Sequence, residues 1–407
     1  MGIRPTPWHQ RSIFTRGVRE PLRRAFFQVL RAAFATEDGR NILIGALDGQ
    51  LHRRPLSGSD LLHLNDRAYP GIGAAPLTAE SGTSRAPIFI TARFRTGSTA
   101  LWNVFRHRPD CTAYYEPLNE RRWFDPAGRG TQTDATHRGI DDYWREYDGM
   151  EDLARVYRDE FTQRGLYMDR ASWNPWLREY ISTLIRRAPH TPVLQFNEID
   201  FRLPWMKATF PDARIVHLYR HPRDQWCSTL IHPEVYPWHA TLDEFDGRDE
   251  YYLRRWIVDL RHTFPFLEAD WMVHAYEPFY LIWKLSYAFG RTYADYSVRY
   301  EDLLDAPLPQ LRRLFDRLHL SGDGLDRTAS LIEGARPGRW KDYASAEWFE
   351  ECESRCEAAL REFFDPLLFR APQAANEDQR PLDVTLSEFF PLFDPRATTS
   401  TSPAIDR

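Results

Sequence analysis

Between about residue 87 and residue 364, short apolar runs alternate with longer amphipathic stretches. Ile88, Phe89 and Ile90 read as a buried strand, followed by the donor-rich turn RFRTGST and a helical run from Ala100 through Phe105. CTAYYEPLNERRWF predicts a second strand running into a loop at Glu116-Pro117. PVLQFN (192–197) and RIVHLY (214–219) predict two more, separated by a helix around 203–209. A fifth strand is expected over 296–300, an amphipathic helix over 301–318, and a loop at 334–344 ahead of the last helix. Strands alternating with helices predict an α/β fold with a central, mainly parallel sheet flanked by helices. Ligands of such sheets bind at the carboxyl ends of the strands, so the chemistry is expected just after these runs.

Two helical insertions, 120–190 and 232–282, are rich in aromatic and charged residues, among them Trp123, Tyr143, Trp144, Tyr147, Tyr167, Trp173 and Trp176. They suit the wall of an acceptor pocket and equally suit packing of helices on the sheet. Upstream, 19–36 reads as a basic amphipathic helix with Leu22, Phe26, Leu30 and Phe34 on one side. Its apolar side can pack on its own domain, the commoner use, or make weak contact with a membrane surface. The expected organisation is an N-terminal extension (1–85), a main domain (86–370) and a Pro-, Asp- and Thr-rich tail (371–407) that is partly disordered.

Composition narrows the function classes. The chain has 407 residues, 43% of them hydrophobic, enough for a sizeable core. A net charge of −5 excludes a general nucleic-acid binder, so any positive potential must be local. All but three of the 53 basic residues (Lys207, Lys284, Lys341) are arginine, so arginine where a relative has lysine says little about altered chemistry. Cys111, Cys227, Cys352 and Cys356 form no C-x-x-C pair and read as buried reduced thiols. No apolar run approaches the roughly 18 residues of a membrane span, and no secretory leader is evident, so a soluble, cytoplasmic protein is expected. The sequence does not fix the oligomeric state.

The candidate chemistry sits at two places. In PIFITARFRTGSTAL, loop N–H groups and the positive end of a helix would converge on a phosphate-like group. Gly97 permits close backbone approach there, and Arg95, Ser98 and Thr99 add side-chain donors. In RIVHLYRHPRDQWCSTL, Arg220 follows a strand end and Ser228 lies eight residues on, along a helix starting near Pro222, so the two can grip one phosphate together.

With both segments in place the chain resembles the sulfotransferase superfamily, which transfers a sulfonyl group from 3′-phosphoadenosine 5′-phosphosulfate (PAPS). The family's K/R-x-G-[ST]-[ST] loop, which holds the 5′-phosphosulfate, is matched by Arg95, Thr96, Gly97, Ser98 and Thr99. Its Arg-x-Pro with a serine eight residues after the arginine, which holds the 3′-phosphate, is matched by Arg220, Pro222 and Ser228. VRYEDLLDAP resembles the Y-E-D-L segment whose tyrosine approaches the adenine, here Tyr300. GRWKDYA resembles the loop that closes over the cofactor and carries over Gly338, Trp340 and Lys341. The arginine-lysine-glycine that precedes this loop in cytosolic members is here Arg336-Pro337-Gly338, a departure that removes support for a role of Arg336. Tyr114-Tyr115-Glu116-Pro117 looks most like the carbohydrate and bacterial-type branch.

The resemblance implies a P-loop-like nucleotide-binding fold and a transferase that takes PAPS as co-substrate and releases 3′-phosphoadenosine 5′-phosphate (PAP). The acceptor would be a small molecule, carbohydrate or lipid offering a hydroxyl or amine. Arg95 would hold charge at the leaving group, and Glu116, past a strand end beside the loop, is the candidate base. Glu198, His217 and His221 stand in reserve; His217 reads as packing and His221 as shaping the phosphate loop. No metal is called for, and no ligand cluster is seen. A P-loop kinase shares the strand-cradle-helix logic, but the chain contains no G-x-x-x-x-G-K-[ST]. A non-catalytic nucleotide-binding protein on the same fold is the other alternative.

Overall fold

The computed structural model describes residues 86–130, 137, 140–230, 233–245, 248–333 and 337–368. The chain divides into two compact units, Met1–Pro55 and Leu56–Arg407, and all described residues lie in the second. The expected helix at 19–36, the extension 1–85, Arg336 and the tail 371–407 lie outside the described residues.

Five strands form one sheet: β1 (Ile88–Thr91), β2 (Cys111–Tyr115), β3 (Thr191–Phe196), β4 (Arg214–Tyr219) and β5 (Tyr296–Arg299). The order is β2-β3-β1-β4-β5. Every neighbouring pair is parallel, with Thr91 opposite both Phe196 and His217, and Tyr115 opposite Gln195. β1, β2 and β3 are buried along their whole length, which accounts for continuous apolar runs in place of alternation. The expected mainly parallel α/β sheet is therefore present, with all five strand ends facing the same way.

Helices connect the strands: α1 (Ser98–Arg106), α2 (Pro175–Arg187), α3 (Leu203–Thr209), α4 (Pro222–Thr229), α5 (Leu253–Leu260), α6 (Tyr276–Tyr293), α7 (Tyr300–Asp305), α8 (Pro307–Arg317), α9 (Leu325–Ala329) and α10 (Ala346–Leu368). One apolar cluster gathers the sheet with α1, α2, α3 and α8, and a second gathers α4, α5, α6 and α10 around Trp226 and Trp256. Cys227, Cys352 and Cys356 are buried in the second cluster as free thiols, and Cys111 in the first. No helix among the described residues is long and apolar enough to cross a membrane.

The single amphipathic helix expected over 301–318 is two helices. Ala306 sits at φ −141° and ψ 68°, between α7 and α8. Pro307 excludes its predecessor from helical geometry and has no N–H to continue the ladder. Tyr300, expected to end the fifth strand, opens α7.

His217 lies within β4, 3% exposed, its ring stacked 5.4 Å from Tyr219. Burial pulls its pKa down to about 3, so it stays neutral and packs, as its strand position suggested. Gly290 of α6 faces this ring so closely that an added Cβ would lie 2.4 Å from it. Gly290→Ala should therefore destabilise the fold by about 1–3 kcal/mol despite the better helix propensity of alanine. A chemical-denaturation midpoint equal to or above that of the parent would contradict this packing.

Candidate functional site

Each strand delivers a polar residue to the same edge of the sheet. Past β1 come Arg95 to Thr99, past β2 Glu116, past β3 Asn197 and Glu198, past β4 Arg220, and past β5 Tyr300. These residues, except Thr96, line one cleft of about 800 Å³. Ser228 lines it as well.

The loop after β1 is wound by two left-handed residues, Arg95 at φ 65° and Gly97 at φ 93°. Arg95 carries a Cβ, so this conformation costs roughly 1–2 kcal/mol and must be held by its surroundings. It is held by the second segment. Arg95 Nε donates to Ser228 O at 3.1 Å and to Ser228 Oγ at 3.3 Å, and Arg220 Nη1 donates to Arg95 O at 3.1 Å. Two segments more than 120 residues apart in sequence thus form one unit. Gln225, which sequence reading passed over, adds Nε2 bonds to Phe94 O at 2.8 Å and Thr96 Oγ1 at 3.1 Å. Thr96 is buried, donates its hydroxyl to Arg93 O, and shapes the loop rather than facing the cleft.

Arg93 is buried beneath the loop, with its guanidinium carbon 4.4 Å from the centre of the Trp256 ring. Burial lowers its pKa to about 10, against the favourable charges of Asp200 and Asp249.

Gly97 must be glycine for space as well as φ, because an added Cβ would lie 2.1 Å from Tyr300 Cε2. Tyr300 is held between this glycine and Arg220, whose guanidinium carbon is 5.0 Å from the ring centre. The ring is only 4% exposed. It packs against the loop where both line the cleft, and burial raises its hydroxyl pKa.

Glu116 occupies the opposite side of the loop at φ 37°. It is 8% exposed, and burial raises its pKa. Asn119 Nδ2 donates to its Oε2 at 2.6 Å and Asn197 Nδ2 to its Oε1 at 2.5 Å, which favours the charged form. Asn197 Oδ1 in turn accepts from Gln195 Nε2 at 2.9 Å and from Ser98 Oγ at 3.5 Å. Thr99 Oγ1 and the Tyr115 hydroxyl lie 3.0 Å apart. Neither asparagine was singled out from sequence; the one signal was that Asn197 directly follows a strand end. Glu198, buried beside Asn197, has its pKa pushed up to about 8, first by burial and then by Glu116.

The segment at 337–343 differs from expectation. Gly338 is left-handed at φ 96°, as a tight entry requires, but neither it nor Trp340 nor Lys341 lines the cleft. Arg339 does. Trp340 lies beneath Arg223, 4.9 Å from the guanidinium carbon, and is stacked 6.4 Å from the His221 ring. Lys341 is exposed, its Nζ 5.8 Å from the Trp340 ring centre. In a short helical turn successive side chains point in different directions, so placing Trp340 inward carries Arg339 to the cleft. His221 shapes the neighbouring turn, its N–H bonding Glu301 Oε1 at 2.9 Å.

Asp224, unnoticed in the sequence, secures the segment. Its carboxylate accepts from Gly338 N at 2.8 and 3.0 Å and from Trp340 N at 3.4 Å. Asp224→Ala should speed amide exchange at 338–340 by about 10-fold, equivalent to roughly 1.4 kcal/mol of lost local stability. Unchanged protection in hydrogen-exchange mass spectrometry would contradict this anchoring. Among the described residues no group of three or more His, Cys, Asp or Glu is placed to hold a metal ion.

The sequence profile of the sulfotransferase family matches residues 87–323. Among curated proteins, the omega-hydroxy-beta-dihydromenaquinone-9 sulfotransferases of Mycobacterium tuberculosis and Mycobacterium bovis are 26% identical over 276 residues, or 60% of this chain. The chain spans 65% of the length of these relatives. Among solved structures, a sulfotransferase from Mycobacterium avium is 14% identical with a TM-score of 0.36, covering 75% of this chain and 81% of that one.

Proposed function

We propose that this chain, which belongs to the sulfotransferase family, moves a sulfonyl group from PAPS to an acceptor hydroxyl by in-line displacement, with Glu116 as the base. The observation that carries the reading is the joined pair of anion grips. Arg95 bonds Ser228, Arg220 bonds Arg95, and all three line one cleft with a buried carboxylate on its far side. Two grips suit a nucleotide bearing phosphate at both ends, the 5′-phosphosulfate on the 95–99 loop and the α1 terminus, the 3′-phosphate on Arg220 and Ser228. Arg339 is a further cation on the same cleft and takes the part that resemblance alone gives to Lys341.

In the reaction the acceptor oxygen attacks sulfur, its proton passes to a Glu116 carboxylate oxygen, and the bond from sulfur to the bridging oxygen breaks. PAP leaves with that bond's electron pair. Asn119 and Asn197 aim the carboxylate and favour its charged form against burial, and Arg95 stabilises charge on the departing oxygen. The curated relatives carry a hydroxylated menaquinone in their name, which favours a hydroxyl as nucleophile.

The donor assignment is tested by calorimetric titration with PAP and with ATP. PAP should bind at least 100-fold more tightly, because ATP has no 3′-phosphate for Arg220 and Ser228, and a lost charge-assisted grip is worth about 3 kcal/mol. Equal affinity for ATP would overturn the donor assignment and favour a kinase.

A further inference from the structure

We propose that the acceptor carries a cationic nitrogen, the ammonium of a primary or secondary amine, which pairs with Glu198 while its hydroxyl faces Glu116. This rests on the sulfonyl-transfer reading above and specifies its substrate class.

Glu198 lines the cleft and is 1% exposed. Among the described residues its side chain accepts one hydrogen bond, from Asn197 N to Oε2 at 3.1 Å, and none reaches Oε1. A buried carboxylate ordinarily has a cation or several donors. Arg202, the nearest arginine in sequence, favours the charged form of Glu198 from a distance but makes no ion pair or side-chain hydrogen bond with it. Its guanidinium is spent on the carbonyl oxygens of Phe161, Arg164, Gly165 and Glu198 itself. The other ionisable groups around Glu198 are Glu116 from the end of β2, Asp200 from its own segment, Tyr157 and Tyr180 behind it, and Tyr252 at the start of α5. None of these brings positive charge.

Asn197 binds the two carboxyls into one geometry, its side-chain N–H on Glu116 and its backbone N–H on Glu198. Two carboxylates so placed repel, and before an acceptor binds a proton on Glu198 relieves the repulsion at neutral pH. A cation from the acceptor would replace that proton. Glu120 extends the acidic surface by bonding Tyr252, and Tyr252, Tyr143 and Trp123 offer aromatic faces on the same wall. Arg121 stands near Glu116 on this wall and favours its ionised form against burial. The anionic donor at the other end of the cleft adds to the attraction.

The test separates a metabolite extract on a cation exchanger at pH 7 and offers each fraction to the full-length protein with isotope-labelled PAPS. Labelled product should arise at least 10-fold more from the retained, cationic fraction than from the flow-through. N-acetylating that fraction should remove the activity. Glu198→Gln should reduce the preference for the cationic fraction over its acetylated form by at least 10-fold, with PAP affinity within 2-fold of the parent. Product chiefly from the flow-through, or from acetylated material as readily, overturns the proposal, as does an undiminished preference in Glu198→Gln. No product from the unfractionated extract, by contrast, overturns the sulfotransferase reading itself.

Discussion

Glu116→Gln lowers the turnover number about 10²- to 10⁴-fold while PAP still binds with parent affinity. Glutamine keeps the volume and can still accept from one of Asn119 and Asn197 through its carbonyl oxygen, losing the other bond because its NH₂ only donates, so the wall of the cleft keeps its shape. What it cannot do is receive the acceptor's proton. The structural cost is small because burial already works against the charge on Glu116, raising its pKa. Removing that charge also relieves Glu198, whose raised pKa stems in part from Glu116. The melting temperature of Glu116→Gln should therefore equal or exceed that of the parent. Single-turnover kinetics with and without PAP titration separate the two effects. Turnover within a few-fold of the parent would remove Glu116 from the mechanism.

Arg95→Ala lowers the turnover number about 10²- to 10³-fold, the range for losing one charge-stabilising donor at a developing anion. Alanine meets the same left-handed backbone penalty at φ 65° as arginine, so the loss does not arise from relief of strain. The substitution also removes the Nε bonds to Ser228, so donor affinity falls together with turnover. Arg220→Ala is the useful contrast. It removes a grip on the donor remote from the reacting sulfur, so it raises the KM for PAPS more than it lowers kcat. If Arg95→Ala affected only the KM for PAPS, Arg95 would be a binding group and the leaving-group charge would have to be met elsewhere.

Much of the architecture was legible because parallel strands are buried on both faces and leave uninterrupted apolar runs. Arg214–Tyr219 and Leu203–Thr209 fall where the pattern placed them. The break at Ala306 was also written in the sequence, since Pro307 interrupts what amphipathic spacing reads as one helix. The strand order was not written there. It depends on which runs pair, and the juxtaposition of Glu116 with Asn197 follows from β2 lying beside β3.

The candidate anion-binding loop was visible as a motif, because a glycine among hydroxyl and arginine residues between strand and helix has few other uses. Its supports were not. Gln225 and Asp224 look like ordinary polar residues of a helix start, and their partners lie more than 100 residues away. At 337–343 the resemblance named Gly338, Trp340 and Lys341, whereas the residue of that segment that lines the cleft is Arg339. Which face of a short turn points inward is set by the packing of Trp340 under Arg223, a contact no local pattern announces.

The central claim is that the cleft joining Arg95, Arg220, Ser228 and Glu116 transfers a sulfonyl group. The most direct measurement incubates the protein with PAPS and a metabolite extract and follows both products by mass spectrometry. The account predicts PAP and a sulfonated acceptor in equal amounts, both formed at least about 100-fold more slowly in Glu116→Gln and Arg95→Ala. PAP formation without a sulfonated acceptor, or no consumption of PAPS by a protein that binds PAP, would contradict it.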